Sequence, residues 1–140
     1  KIEDGDVGTW DSLYSMNLRS AVVASKCALP AMLERGAGRI INIGAGAAGK
    51  AALGMGAYAA SKAGVQRFTE ALAEELKDRN ITVNAILPGI IDTPRNRLDM
   101  PKGDFTRWVS PEAIAQVILF LASAQAAAVT GAAIPVFGRG

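Results

Sequence analysis

The strongest constraint on the fold is an alternation of long helical patterns with short β-branched runs. Apolar residues recur every three or four positions from Thr9 to Leu33 and from Ala57 to Asp78, which is the period of an amphipathic helix. Each pattern is followed by an apolar run typical of a buried strand, Arg39–Ile43 and Ile81–Leu87. Because helices that alternate with buried strands pack as a parallel sheet with right-handed crossovers, the sequence predicts an α/β fold.

Capping and turn residues set the expected boundaries of these elements. Thr9 is the predicted N-cap of the first helix, and Gly36 is expected to end it. A third helix is predicted from Ser110-Pro111 to about Ser123, because proline is favoured at the first helical position. Ala132–Phe137 is a plausible last strand, and the proline-punctuated stretch from Asp92 to Val109 is expected to be irregular.

Length and charge argue for one globular unit and against two classes of partner. The 140 residues, half of them apolar, suit a single domain over 1–140. The formal charge is only +2 and no basic stripe is interleaved with aromatic residues, so nucleic acid is not expected as a partner. No apolar run approaches the ~18 residues of a membrane span and no leader follows Lys1, so the cytoplasm is the expected location.

The chain lacks histidine and has Cys27 as its only cysteine. This composition excludes a disulfide framework, a thiolate or imidazole metal site, and a catalytic triad with histidine as the base. No metal site is therefore predicted, and Cys27 is expected to be a small core residue.

The run Gly44–Gly49 spells G-x-G-x-x-G directly after a predicted strand. A dinucleotide fingerprint needs a helix that begins inside the motif, and Gly54 and Gly56 interrupt any such helix. A phosphate-binding P-loop would need Ser or Thr where Ala51 stands. We therefore interpret the run as a flexible loop.

Tyr58 and Lys62 are four residues apart and therefore share one face of the second predicted helix. A phenol ordinarily titrates near ~10, and a fixed cation beside it favours the phenolate and lowers its pKa. The pair is a candidate for proton transfer, although Tyr and Lys at this spacing are also common as an ordinary surface pair.

Several segments, in order and spacing, resemble the short-chain dehydrogenase/reductase family: Asn17, Asn42-Ile43, Tyr58-x-x-x-Lys62 and Pro88–Pro94. The resemblance covers nearly the whole chain and implies the carboxyl-terminal half of a Rossmann-like, doubly wound parallel sheet. It also implies an oxidoreductase that uses NAD or NADP. The residues that distinguish the two cofactors are not found in this sequence.

The resemblance assigns a role to each of these residues. Tyr58 would be the general acid/base, while Lys62 would lower its pKa and hold the nicotinamide ribose. Asn17 would bend its helix and support a proton-relay water. The residues that would line the nicotinamide are Pro88, Gly89, Ile91 and Thr93, for which a purely structural turn is the alternative.

One departure from the family pattern concerns the substrate. The family serine that hydrogen-bonds the substrate oxygen lies thirteen residues before the tyrosine, where this chain has Ala45. Losing one such donor typically costs about 10² to 10³ in rate, so either the substrate does not need it or the site is weak. The quinonoid dihydropteridine reductase branch also lacks this serine, and the chain resembles it locally at Gly54-Met55, Asp92–Pro94, Asn96-Arg97, Met100-Pro101, Asp104-Phe105 and Trp108. A pterin-like or quinonoid substrate is therefore a hypothesis.

The second departure is that no glycine-rich strand–turn–helix unit precedes Lys1, whereas members of the family begin with one. We therefore expect this chain to be the carboxyl-terminal part of such an enzyme and, on its own, to bind a dinucleotide poorly and be inactive. The alternative is a catalytically weak or inactive module that serves in subunit assembly, because the first two predicted helices resemble those that pair across subunits. A homodimer or homotetramer is expected.

Overall fold

The computed structural model describes all 140 residues, Lys1–Gly140. Its helices and strands follow in the order α1 (Val7–Leu13), α2 (Ser20–Arg35), β1 (Gly38–Ile43), α3 (Gly56–Leu76), β2 (Ile81–Pro88), α4 (Pro94–Asp99), α5 (Pro111–Ala122) and β3 (Ala133–Val136). The predicted elements all occur in the predicted order, and α4 is an additional helix. A π-helical turn, Tyr14–Arg19, joins α1 to α2 without a break in the helical backbone. None of the helices combines the length and apolarity needed to cross a bilayer.

The three strands form one parallel sheet in the order β1-β2-β3. The register runs from Gly38 opposite Ile81 to Ile43 opposite Ile86, and Pro88 lies opposite Val136. All three strands therefore end at the same edge of the sheet, which confirms the predicted α/β class. This carboxyl edge is where parallel sheets of this kind place their binding sites.

The middle strand β2 is buried along its whole length, and its alternate residues face two separate apolar clusters. Ile81 and Val83 pack with side chains of α3 and with Ile40 of β1. Ile86 packs with side chains of α5 on the other face of the sheet. The sheet is thus covered by helices on both faces, as a parallel sheet requires.

Asn84 of β2 is a polar side chain buried at the centre of the domain. Its Nδ2 donates to the Val129 carbonyl at 2.8 Å, and its Oδ1 accepts from the Ala132 amide at 3.0 Å. The side chain therefore satisfies two main-chain groups of the segment that leads into β3, and holds that segment against β2.

Three expectations about local structure are corrected. The first helix begins at Val7, after Asp6, so Thr9 lies inside the helix and is not its N-cap. Cys27 is exposed, because the face of α2 that carries it is not covered by any other part of the chain. The stretch predicted to be irregular contains α4, whose N-cap Thr93 accepts a hydrogen bond from the Asn96 amide at 3.2 Å. With only six residues, α4 is too short to have an apolar period.

The glycine run after β1 behaves as the sequence predicts. A single 3-10 turn, Gly46–Ala48, follows the strand, and the next helix begins only at Gly56. No α-helix begins within Gly44–Gly49, so the run lacks the helix N-terminus that a pyrophosphate site of this spelling needs.

Candidate active site

The carboxyl edge of the sheet brings the predicted site residues into one region. Lys62, on the second turn of α3, donates from Nζ to the carbonyl of Ile43, the last residue of β1, at 2.9 Å. The segment after β2 is fixed at the same edge, since the Gly89 amide donates to the Val136 carbonyl at 3.1 Å. The Tyr58 helix and the Pro88–Thr93 segment therefore flank the same ends of the strands.

Burial controls the proton affinities of the candidate pair. Partial burial raises the pKa of the Tyr58 phenol above its ordinary value and lowers the pKa of the Lys62 ammonium. In both cases burial disfavours the charged form. For Tyr58 this direction is the reverse of the one predicted from the spacing, because burial of the phenol outweighs any effect of the neighbouring cation, and that cation is directed to the Ile43 carbonyl.

Asn17 lies within the π-helical turn and contacts the helix that carries Tyr58. Its Nδ2 donates to Ser61 Oγ at 2.9 Å, and Ser61 Oγ in turn donates to the Tyr58 carbonyl at 2.8 Å. A π-helical turn contains one extra residue and is common at functional sites. Sequence reasoning did not assign Ser61 a role, and its one signal was its position directly before Lys62.

The segment from Pro88 to Thr93 is held by contacts at both of its ends. Gly89 packs so closely on β3 that an added Cβ would lie 3.1 Å from Phe137 Cα. Ile91 forms a parallel bridge with Val109, and Thr93 caps α4 through its Oγ1. The Thr93 hydroxyl accepts in this cap, so its hydrogen stays available for donation to a ligand.

Ala45 occupies a buried position at the start of the 3-10 turn that follows β1, and it is only 7% exposed. Its carbonyl accepts from the Ala48 amide at 2.9 Å, so the backbone at this position is fixed. The side chain is a methyl group and offers no hydrogen-bond donor to a substrate.

A cavity of about 430 Å³ opens beside the Pro88–Thr93 segment, and sequence reasoning did not predict it. It lies at the ends of all three strands and is lined by Gly46, Gly89, Ile90, Asp104, Arg107, Trp108, Phe137 and Gly140. Trp108 was noted in the sequence only as part of a local resemblance. Phe137 carried no signal beyond its place at the end of an apolar run.

Comparison with known proteins gives a consistent family. A family model described as short chain dehydrogenase matches residues 1–102. The 3-oxoacyl-(acyl-carrier-protein) reductase FabG of Pseudomonas aeruginosa is 45% identical over 140 residues, a match that covers 92% of this chain and 56% of that protein. The acetoacetyl-CoA reductase of Allochromatium vinosum is 36% identical over 137 residues, with the same two shares.

Solved structures agree with these matches. The crystal structure of acetoin dehydrogenase from Enterobacter cloacae superposes with a TM-score of 0.86 at 31% identity, covering 96% of this chain and 56% of that one. The chain thus spans a little over half the length of the relatives it matches. Since the family model covers more than half of the 140 residues, the chain belongs to the short-chain dehydrogenase/reductase family.

Proposed function

We propose that this chain is the carboxyl-terminal, catalytic part of an NAD(P)-dependent oxidoreductase. The observation that carries the proposal is the convergence of Lys62, the Tyr58 helix and the Pro88–Thr93 segment on the carboxyl edge of the sheet. The relatives named above are reductases and a dehydrogenase, which supports the same reaction class. The activity proposed is that of the whole protein to which these residues belong.

Tyr58 is proposed as the proton donor in the direction of reduction. Burial raises the pKa of its phenol, so the hydroxyl is protonated at neutral pH and can give its proton to the substrate. Asn17, through Ser61 and the Tyr58 carbonyl, holds the turn of α3 on which the phenol is carried. Lys62 lies one turn further along the same helix face, and we propose that its positive charge stabilises the phenolate only after the proton has left.

The side chains at this edge fit the nicotinamide half of NAD(P), which when bound supplies a hydride. The Lys62 ammonium has three N–H groups, and its bond to Ile43 uses one of them. The remaining two, with the Thr93 hydroxyl, are available to the ribose and the carboxamide. Pro88, Gly89 and Ile91 would supply the surface against which the ring lies. The pyrophosphate and adenine are not assigned to these 140 residues, because the glycine run after β1 does not begin a helix.

The presence of Ala45 where the family pattern has a serine restricts the class of substrate that we propose. Ala45 cannot donate to a developing oxyanion, so we propose a substrate in which hydride transfer builds little charge on oxygen, such as a conjugated quinonoid or pterin ring. The aromatic side chain of Trp108 in the neighbouring cavity suits a planar ring.

Isotope transfer tests the reaction class. The protein is incubated with NADH or NADPH deuterated at the transferred position, together with acetoacetyl-CoA, diacetyl or a quinonoid dihydropterin, and the product is analysed by mass spectrometry. Deuterium in the alcohol formed from acetoacetyl-CoA or diacetyl supports an oxidoreductase. Hydride given to the dihydropterin ends on a ring nitrogen, where deuterium exchanges with water, so that reaction is followed by the loss of cofactor absorbance. Cofactor oxidation with the dihydropterin alone supports the narrower substrate class. Absence of deuterium from both alcohols, together with no cofactor oxidation in the presence of the dihydropterin, in protein shown to bind the cofactor, would contradict the proposal.

A second candidate function is a non-catalytic assembly module, and Ala45 is the observation that favours it. Several large apolar side chains of the first helical segment are exposed, among them Val7, Tyr14, Met16 and Val23, as expected of a surface that pairs with a second subunit in a homodimer or homotetramer. A fluorescence titration separates the two functions: failure of the whole protein to bind NADH and NADPH would support the module and refute the oxidoreductase.

A further inference from the structure

The cavity at the carboxyl edge is lined mainly by apolar groups, and its two charged lining residues, Asp104 and Arg107, are exposed to solvent. Ile90, Trp108 and Phe137 supply the side-chain walls, and the backbones of Gly46 and Gly89 line the remainder. The carboxylate of Asp104 is occupied within its own turn, where it accepts from the Thr106 amide and hydroxyl at 3.2 and 2.6 Å. A volume of about 430 Å³ lies within the usual range of small-molecule sites.

The Phe137 wall is fixed by close contacts with glycine. An added Cβ on Gly46 would lie 3.0 Å from Phe137 Cε1, so the ring packs directly on the turn after β1. Beyond it, Gly138 has a φ of +69°, a left-handed conformation that turns the chain back towards Arg107. The Arg139 amide then donates to the Arg107 carbonyl at 3.0 Å, which closes this side of the cavity.

Three side chains that do not line the cavity, Phe105, Arg97 and Asp92, contact one another in series and support the Trp108 ring. The Phe105 and Trp108 rings meet edge to face with their centroids 4.7 Å apart. The Arg97 guanidinium carbon lies 4.8 Å from the centroid of the Phe105 ring. Asp92 holds that guanidinium from its edge, accepting from Nε at 2.6 Å and from Nη2 at 2.8 Å. Arg97 itself does not line the cavity.

We propose that this cavity binds an apolar ring of the substrate, and that Arg97 acts as the positioning residue that holds its Trp108 wall in place. The proposal rests on the function proposed above and names a subsite for its substrate. Two aromatic side chains and a lining of glycine backbone suit a flat ring, because aromatic groups gain from offset or edge-to-face contact with one another. The planar guanidinium suits the position behind Phe105, since it binds a carboxylate and covers an aromatic face at the same time.

Binding of benzyl alcohol, with methanol as the ring-free control, tests the subsite without requiring turnover. The readout is the indole N–H resonance of Trp108 in the whole protein, assigned by its loss in Trp108→Phe. We expect a saturable shift with benzyl alcohol and none with methanol at the same concentration. Ile90→Phe should fill the cavity and weaken binding about tenfold, whereas Leu98→Phe, on the exposed side chain of α4, should leave it unchanged.

Arg97→Lys tests the positioning role, and Arg95→Lys is the matched control. Both arginines lie on α4 and pair with an aspartate, but only Arg97 stacks on Phe105. Arg97→Lys should weaken benzyl alcohol binding about fivefold and raise KM for a ring-bearing substrate with kcat unchanged, because lysine cannot reproduce the stacked, two-point contact. Arg95→Lys should change neither.

These outcomes separate the subsite from the proposed reaction. Tyr58→Phe should bind benzyl alcohol as the wild type does, so loss of turnover in that variant leaves the subsite standing. No saturable shift at Trp108, or equal effects of the Arg97 and Arg95 variants in folded protein, would overturn the inference even if the enzyme transfers hydride.

Discussion

Restoring a hydroxyl at position 45 is the most informative change to this site. Ala45→Ser places a donor where the family has its serine, on a backbone already fixed by the bond from the Ala48 amide to the Ala45 carbonyl. The position is only 7% exposed, so water competes weakly for the new hydroxyl. The substitution adds one oxygen atom and leaves every described hydrogen bond of the site intact.

The size of the effect follows from the charge that develops on the substrate. One preorganised donor to an oxyanion is worth ~2.7 to 4 kcal/mol, or about 10² to 10³ in rate. A serine introduced at position 45 has a free rotamer and is less preorganised than an evolved one, so we expect the lower end of that range. Reduction of a simple ketone should therefore become about 10² faster in kcat/KM. Reduction of a quinonoid dihydropterin should change by less than about threefold, because little charge forms on its oxygen.

The assay compares steady-state oxidation of NADH and NADPH by the wild type, Ala45→Ser and Ala47→Ser, with diacetyl and a quinonoid dihydropterin as substrates. Ala47 lies two residues further along the same 3-10 turn and controls for a hydroxyl added nearby. Circular dichroism and thermal unfolding verify that each variant is folded. A folded Ala45→Ser protein whose ketone rate equals that of the wild type would refute the reasoning, as would an equal gain in Ala47→Ser.

Three further predictions concern stability and exposure. Asn84→Ala should lower the free energy of unfolding by ~2 to 4 kcal/mol in urea titrations, since it removes two hydrogen bonds and leaves two partly buried main-chain groups unpaired; a loss below ~1 kcal/mol would show that these groups find other partners. Because burial raises the pKa of Tyr58, the folded state keeps this proton after the unfolded state has lost it, and stability should fall as pH rises above about 10. Tyr58→Phe should therefore lose less stability than the wild type above about pH 10, and the difference in unfolding free energy between the two proteins should not vary with pH below about 10. An equal loss of stability in both proteins above that pH would contradict a raised pKa for Tyr58. Cys27 should react with a thiol reagent in the folded protein, and protection of Cys27 would mean that α2 is covered by a second subunit.

The sequence predicted the architecture well because the relevant signals are local. The helical period, the β-branched runs and the glycine stop at Gly36 are read from neighbouring residues, and all three strands lie where they were predicted to within two residues. The prediction that no α-helix begins within the glycine run is also confirmed, and it was inferred from Gly54 and Gly56.

What the sequence did not predict depends on packing between distant residues. The direction of the pKa shift at Tyr58 depends on how deeply the phenol is buried and on where the Lys62 ammonium is directed. The four-residue spacing of the two side chains gives no information about either. The cavity walls Trp108 and Phe137 are distant in sequence: the bridge between Ile91 and Val109 places the first, and the pairing of β2 with β3 places the second. The exposure of Cys27 depends on which face of α2 other parts of the chain cover.

Phenylalanine substitution of the two tyrosines tests the central claim most directly. Tyr58→Phe removes only the proposed proton donor, and Tyr14→Phe makes the same chemical change in the π-helical turn, away from that role. We expect NAD(P)H-dependent turnover by the whole protein to fall at least about 10²-fold in Tyr58→Phe and to remain near the wild-type value in Tyr14→Phe. Full turnover by a folded Tyr58→Phe protein would contradict the account.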